Sequence, residues 1–283
     1  MVKLSFVVTS IEEHNEYLLN LIESFVNMTG NEQSELNIIL SKISTDYEEN
    51  LKIRIDKHNN INYFLTESLS RGIKKDIGIS ICKAEKICFI DSDCILDKDY
   101  FVNLKDYLQS FRLIRGKNIF LSRNNWFSKK NSDFRTICEE VFARDIIFTP
   151  NLIIDKHLLN DAGGWSLDNL DSDDDFILNQ RIRRVTQENI FHVDDALLYN
   201  QPDSNSLKSI KTWYGYGEGH GFAYWRESKR GLSTLFQYSP DFVYVKHYPI
   251  DYFIFALFQL LVGLVGYTHG IIKYSKSNKL KKK

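Results

Sequence analysis

The chain has 283 residues, 43% hydrophobic and 26% charged, with a formal net charge of −1. That is long enough for one large domain or a domain with an appendage, and it is ordinary for a globular protein. The charge balance gives no global electrostatic argument for a nucleic-acid partner.

The opening MVKLSFVVTS holds one lysine and a short apolar run, then turns acidic at Glu12–Glu13 with no small-residue cleavage site, so it does not read as a signal peptide. Residues 4–9 read as a buried strand, and His14 to Met28 as an amphipathic helix with Leu18, Leu21, Ile22 and Phe25 at helical spacing. Residues 36–40 make a second strand and 61–65 a third, a rhythm that predicts a parallel α/β sheet. A loop and helix over 68–85 lead to the strand 86–91, and 99–113 reads as helical. The stretch 116–154 has a mixed pattern. A turn at Ala162–Trp165 precedes an acidic run, a helix over 173–184, and strands near 190–193 and 196–199. The four cysteines, Cys82, Cys88, Cys94 and Cys138, show no CxxC spacing. They read as small buried hydrophobes in a reducing compartment, not as a disulfide framework or zinc site.

The strand KICFID ends in an Asp-Ser-Asp triplet. Alternation along a strand puts Asp91 and Asp93 on one face and turns Ser92 away. Open α/β sheets bind ligands at the carboxyl ends of their strands. Two close carboxylates repel unless a cation neutralises them, and a hard divalent ion with oxygen ligands commonly bridges carboxylates to phosphates. The plainer alternative is a solvated turn, for which Asp and Ser are common.

These blocks together resemble a family-2-type glycosyltransferase with a GT-A fold, over roughly residues 3–225. SFVVTSIEEHN stands where the family opens its nucleotide site, Lys75-Asp76-Ile77-Gly78 where it carries an Arg-Asn-x-Gly pattern, and FIDSDCILDKDY where it has strand, DxD and helix. TPNLIIDKHLLNDAGGW resembles the segment before the acceptor site. The acidic run after it is similar to the family's Asp-Asp base motif and to the acidic cluster of galactosyltransferase C-terminal domains. After the second strand the chain reads Ser41-Lys42-Ile43-Ser44-Thr45-Asp46, keeping only Ser44 and Asp46 of the usual base-binding run, and Tyr199-Asn200 stands in place of Tyr-His.

The resemblance implies a three-layer α/β sandwich with a mixed, mainly parallel sheet. It implies inverting transfer from a UDP-sugar, with galactose or a related hexose as the sugar, to a growing, lipid-linked surface glycan. Thr9, Ser10, Glu12, Asp46, Lys75, Asp76, Asp91, Ser92 and Asp93 are the expected donor-binding residues. Mn2+ or Mg2+ is the expected cofactor, on Asp91 and Asp93. Asn200 could add a carbonyl oxygen, and His192 is either a further ligand or a satisfied strand histidine.

Asp171, Asp173, Asp174 and Asp175 crowd one turn. Acids in a first helical turn are stabilised by the helix dipole, but one or two suffice for that and four repel. Asp174 shares a helix face with Ile177, Leu178 and Arg181, which reads as inward, while Asp173 lines up with Phe176, Ile177 and Gln180. Asp174 is therefore the candidate general base, with Asp173 second. Gly164 and Trp165 are candidate acceptor contacts, Trp165 either as an apolar wall for a sugar ring or as a core residue.

The glycine- and aromatic-rich segment 213–226 reads as a cap, a membrane-facing surface or a loop packed on the core. Residues 252–267 are nearly all apolar, and Lys273, Lys276, Lys279 and Lys281 to Lys283 follow. The expected division is a catalytic domain over 1–230 and a membrane-associating segment over 231–283. A single span needs about 20 apolar residues and could not leave both the catalytic body and the lysines in the cytoplasm. A peripheral or monotopic helix on the cytoplasmic face of the cell membrane is the expectation, against a helix buried on protein. Two other function classes stand beside the glycosyltransferase. A nucleotidyltransferase would carry a glycine- and basic-rich first loop, where this chain is acidic. A non-catalytic, cation-binding or membrane-docked protein would be indifferent to loss of Asp93 or Asp174.

Overall fold

The computed structural model describes residues 2–41, 43–142, 144–165, 174–202, 205–227 and 250–280. The chain divides into two compact units, Met1–Ile119 with Ile147–Gln201, and Phe120–Ile146 with Pro202–Lys283. The domain boundary expected at 230/231 lies outside the described residues.

The first unit is built on strands β1 (Leu4–Ile11), β2 (Ser34–Ser41), β3 (Ile61–Thr66), β4 (Lys86–Asp91), β5 (Cys94–Leu96), β6 (Leu113–Phe120), β7 (Leu152–Asp155) and β8 (Phe191–Asn200). They form one eight-stranded sheet in the order β3-β2-β1-β4-β7-β6-β8-β5. The half from β3 to β4 is parallel, while β7 runs antiparallel to β4 and β6, and β5 antiparallel to β8.

Alternation along β1 explains the layers. Phe6 and Val8 face one core with Leu36, Ile38 and Cys88, covered by helices α1 (Asn15–Asn27), α2 (Thr45–Ile55) and α4 (Tyr100–Leu104). Val7 faces the other, with Ile39, Ile87 and Phe89, covered by α3 (Arg71–Ile81), α6 (Lys156–Asp161) and α7 (Asp174–Val185). α1 buries the predicted stripe Leu18, Leu21, Ile22 and Phe25. α3 comes so close to the sheet that a Cβ at Gly78 would sit 2.4 Å from Val7 Cγ1. Cys82, Cys88 and Cys94 are buried free thiols, and burial pushes Cys82 and Cys88 up to about 12, which keeps them protonated.

The sequence reading differs from the structure at several elements. The helix expected over 99–113 stops at Leu104, because β6 begins at Leu113. The two expected strands near 190–199 are one continuous strand, β8. β6 and β7 occupy the stretch of mixed pattern.

The second unit contains α5 (Trp126–Ile137), α8 (Ser206–Glu227) and α9 (Ile250–Leu280), packed through Phe127, Phe134, Trp213 and Phe255. The segment 213–226 is thus helical. Its glycines let α8 and α9 touch backbone to backbone: a Cβ at Gly217 would lie 2.0 Å from the Gly263 carbonyl oxygen, and one at Gly266 would lie 2.1 Å from that of Tyr214. Within α9, Ile250–Lys273 is long and apolar enough to cross a membrane.

Candidate active site

Parallel pairing of β1 with β4 sets Thr9 directly beside Asp91 at the carboxyl ends of both strands. β4 stops at Asp91, and Ser92 and Asp93 form the turn into β5. Ser92 is buried, with its hydroxyl 3.1 Å from His14 Nδ1, while Asp91 and Asp93 are half-buried. The Asp-Ser-Asp turn is thereby tied to the segment leaving β1.

The same segment holds Glu12. Its carboxylate accepts hydrogen bonds from the Ser44 hydroxyl at 2.6 Å and the Ser44 N–H at 2.9 Å. Those two donors hold the Glu12 carboxyl below the ordinary value. Ser44 also caps α2 by accepting from the Tyr47 N–H, and Asp46 is exposed in the first turn of that helix. Lys74 is buried, and its ammonium donates to the Ser10 carbonyl at 3.3 Å. A cation therefore closes the end of β1.

A second group assembles on the other face of the sheet. Gly163 and Gly164 take φ values of +85° and +75°, which favour glycine, and turn the chain after α6. Asp76 accepts a hydrogen bond from the Trp165 N–H at 2.6 Å. The Trp165 ring is 1% exposed, lies 4.3 Å from the Phe89 ring and has the Lys75 ammonium 4.0 Å above it. Trp165 is thus a core residue, packed beneath the strand that carries Asp91. Lys75 also pairs with Asp175 at 3.1 Å. The other Asp175 oxygen accepts from the Thr149 N–H and hydroxyl, each at 3.0 Å.

Asp175 is the acid that sequence reasoning passed over. Among the described side chains of α7, Leu178 and Ile182 are buried, three and seven residues after Asp175, which sets Asp175 on an inward stripe. Asp173 lies outside the described residues, as does the side chain of Asp174.

The β5–β8 register sets Asn200 opposite Cys94, the residue after Asp93, and the Gln201 N–H donates to the Asp93 carbonyl at 2.8 Å. The Asn200 side chain itself is buried, accepting from the Cys94 thiol and donating to Asn118. His192 is the second residue of β8, and at about 3.3 Å per residue it sits about 26 Å from Asn200, at the other end of that strand from the Asp91–Asp93 turn, which favours the strand-histidine reading. Among the described residues no group of three or more His, Cys, Asp or Glu side chains is placed to hold a metal. Asp91 and Asp93 carry hard carboxylate oxygens, the ligand type that a divalent cation takes alongside phosphate or water.

No protein-family profile and no curated protein matches the chain. Its fold is shared with S. aureus TarS. Residues 1–349 of TarS superpose with a TM-score of 0.56 at 13% identity, over 98% of this chain and 92% of that one. The same fragment in complex with UDP-GlcNAc gives a TM-score of 0.58 at 12% identity, over 98% and 92%. Against a longer TarS chain the values are 0.54 and 13%, over 96% of this chain and 55% of that one. At such identity the likeness is one of fold: an α/β sandwich of GT-A type with a mixed, mainly parallel sheet and, here, an apolar C-terminal helix.

Proposed function

We propose that the chain is a glycosyltransferase that moves a hexose from a UDP-sugar to a hydroxyl of a glycan acceptor, with inversion. The observation that carries this reading is the register of β1 and β4, which brings Thr9 beside the Asp91–Asp93 turn at the carboxyl edge of a parallel sheet. The TarS fragment that shares the fold has been crystallised with UDP and with UDP-GlcNAc.

The donor's nucleotide would lie over the ends of β1 and β2, against Thr9, Ser10, Glu12 and Asp46, with Ser92 fixing the turn through His14. Asp91 and Asp93 would hold Mn2+ or Mg2+, which when bound supplies positive charge against the leaving diphosphate. Asn200 supports that turn from its buried position. Lys75 and Asp76 act as positioning residues: they fix the Gly164–Trp165 turn and the start of α7. Gly164 brings backbone rather than side chain to the acceptor side.

The acceptor oxygen would form its new bond to the anomeric carbon as the bond from that carbon to the diphosphate oxygen breaks, with the electron pair leaving on the diphosphate. The acceptor proton would pass to a carboxylate. Both Asp175 oxygens are engaged by Lys75 and Thr149, so the base falls to Asp174, with Asp173 second.

The outer face of α9 exposes Ile250, Ile254, Leu257, Leu261 and Val265, and the sequence after it is rich in lysine. A peripheral or monotopic seat on the cytoplasmic membrane, with lysines on anionic lipid, fits that face and a lipid-linked acceptor. The test is incubation with a panel of UDP-, GDP- and dTDP-sugars, with manganese or EDTA, measuring nucleotide diphosphate release. Release from a UDP-sugar that disappears with EDTA and in Asp93→Ala is expected. Release that is indifferent to both would overturn the assignment of the site.

A further inference from the structure

The large exposed hydrophobic side chains among the described residues concentrate in the second unit. On α9, Ile254, Leu257, Leu261, Val265 and Ile272 are all exposed. Their three- and four-residue steps set them in one row, about 27 Å long at about 1.5 Å per residue. Gly263, Gly266 and Gly270 lie on the opposite side of the helix, where its backbone meets α8. The contacts advance together, Gly217 with Gly263 and Gly221 with Tyr267, so the two helices run side by side in the same direction.

That packing bears on how α9 can meet lipid. α8 carries Lys208, Lys211 and Glu218, and Glu218 holds the Lys273 ammonium at 2.5 Å. Taking α9 across a bilayer would drag Glu218 into hydrocarbon, which is costly. Lying flat, α9 turns its apolar row to the lipid and keeps α8 on the water side.

α5 adds a residue to this face. Trp126 is 57% exposed, and its ring meets that of Phe255 edge-on with centroids 6.2 Å apart. Phe255 follows Ile254 in the row, and the exposed Phe258 lies one turn further on. Two contacts hold α5 against the start of α9: Lys130 Nζ lies 2.7 Å from Asp251, and the Tyr252 hydroxyl donates to Asp133 at 2.6 Å. A tryptophan, with an apolar body and an N–H tip, suits the headgroup level of a bilayer. Charge names the bilayer as the occupant. Lysines follow the row at 273, 276, 279 and 281–283, where anionic headgroups pair with them and a second copy aligned in parallel would repel them.

We propose that the second unit seats on an anionic bilayer with α9 in the plane and α8 on its water side, and that Trp126 of α5 is its anchor at headgroup level. The proposal rests on the membrane reading of α9 given above and adds the orientation and the anchor.

The test uses the full chain with vesicles of phosphatidylcholine, alone or mixed with phosphatidylglycerol. Flotation reports binding, and quenching of tryptophan fluorescence by brominated acyl chains reports depth. Flotation with the anionic vesicles is expected, weakened about tenfold or more by Leu261→Glu and unchanged by Ile53→Glu, an exposed position on α2. Bromine near the headgroup end of the chain should quench wild type more strongly than Trp126→Phe. Circular dichroism without vesicles checks that each variant is folded. No flotation of the wild-type chain would overturn the membrane seat itself and the anchor with it, and a dimer in light scattering would then name a second copy as the occupant. Three results would overturn the proposal and leave a membrane seat standing: equal quenching in wild type and Trp126→Phe, quenching of Trp126 only by bromine at the methyl end of the chain, or wild-type flotation of Leu261→Glu.

Discussion

The Lys75 ammonium and the Asp175 carboxylate lie 3.1 Å apart although the residues are 100 positions apart in the chain. The pair ties α3 to α7, and the same lysine lies over Trp165. A double-mutant cycle of Lys75→Ala and Asp175→Ala, followed by urea unfolding, is expected to give a coupling energy of about 1–3 kcal/mol. Strict additivity would mean that the two side chains act independently.

Gly78→Ala is expected to destabilise the chain by about 1–3 kcal/mol, because the new Cβ would press on Val7 Cγ1 from 2.4 Å. The denaturation midpoint should fall with an unchanged slope. A midpoint equal to wild type would show that α3 can shift away from β1 at no cost.

Asp155 supplies a pH signature. Burial pushes its carboxyl up, but the Lys86 ammonium at 3.0 Å and the N–H groups of His157 and Leu158 outweigh that and hold it below the ordinary value. A carboxyl depressed in the fold contributes stability that is present above the unfolded-state value of about 3.9 and is lost as pH falls through the folded-state value. The stability gap between wild type and Asp155→Asn should therefore be full at neutral pH and shrink below about pH 4. A gap constant from neutral to acid pH would remove the charge from the explanation.

Gly266→Leu should force α8 and α9 apart, since even a Cβ there would lie 2.1 Å from the Tyr214 carbonyl oxygen. The expected result is faster proteolysis within 206–280 and a loss of about 1–3 kcal/mol or more. Gly215→Ala is the control, because a Cβ there meets nothing within 4 Å.

The sequence revealed most where burial follows a simple period. β1, α1 and β4 each bury what their spacing predicts, and the Asp-Ser-Asp triplet ends its strand at the sheet's carboxyl edge. Its limits lie where tertiary packing overrides local preference. β6 carries Arg115 and Asn118 to buried positions, which no alternation of polar and apolar residues would suggest. Glycine weakens an isolated helix, so the glycine-rich segment 213–226 reads as a cap, a membrane-facing surface or a loop; close packing of Gly217 and Gly221 on α9 offsets that cost. Asp175 was hidden by phase, since Ile177 beside Leu178 made two neighbouring stripes look alike. His14 and Lys74 reach the site through chain reversals that spacing alone does not encode.

Calorimetric titration of UDP into the full chain with manganese tests the central claim, that the Asp91–Asp93 turn beside Thr9 is a nucleotide-diphosphate site. The predicted result is saturable binding that is abolished by EDTA and weakened about tenfold or more in Asp93→Ala. No UDP binding by the wild-type chain in the presence of manganese would contradict it.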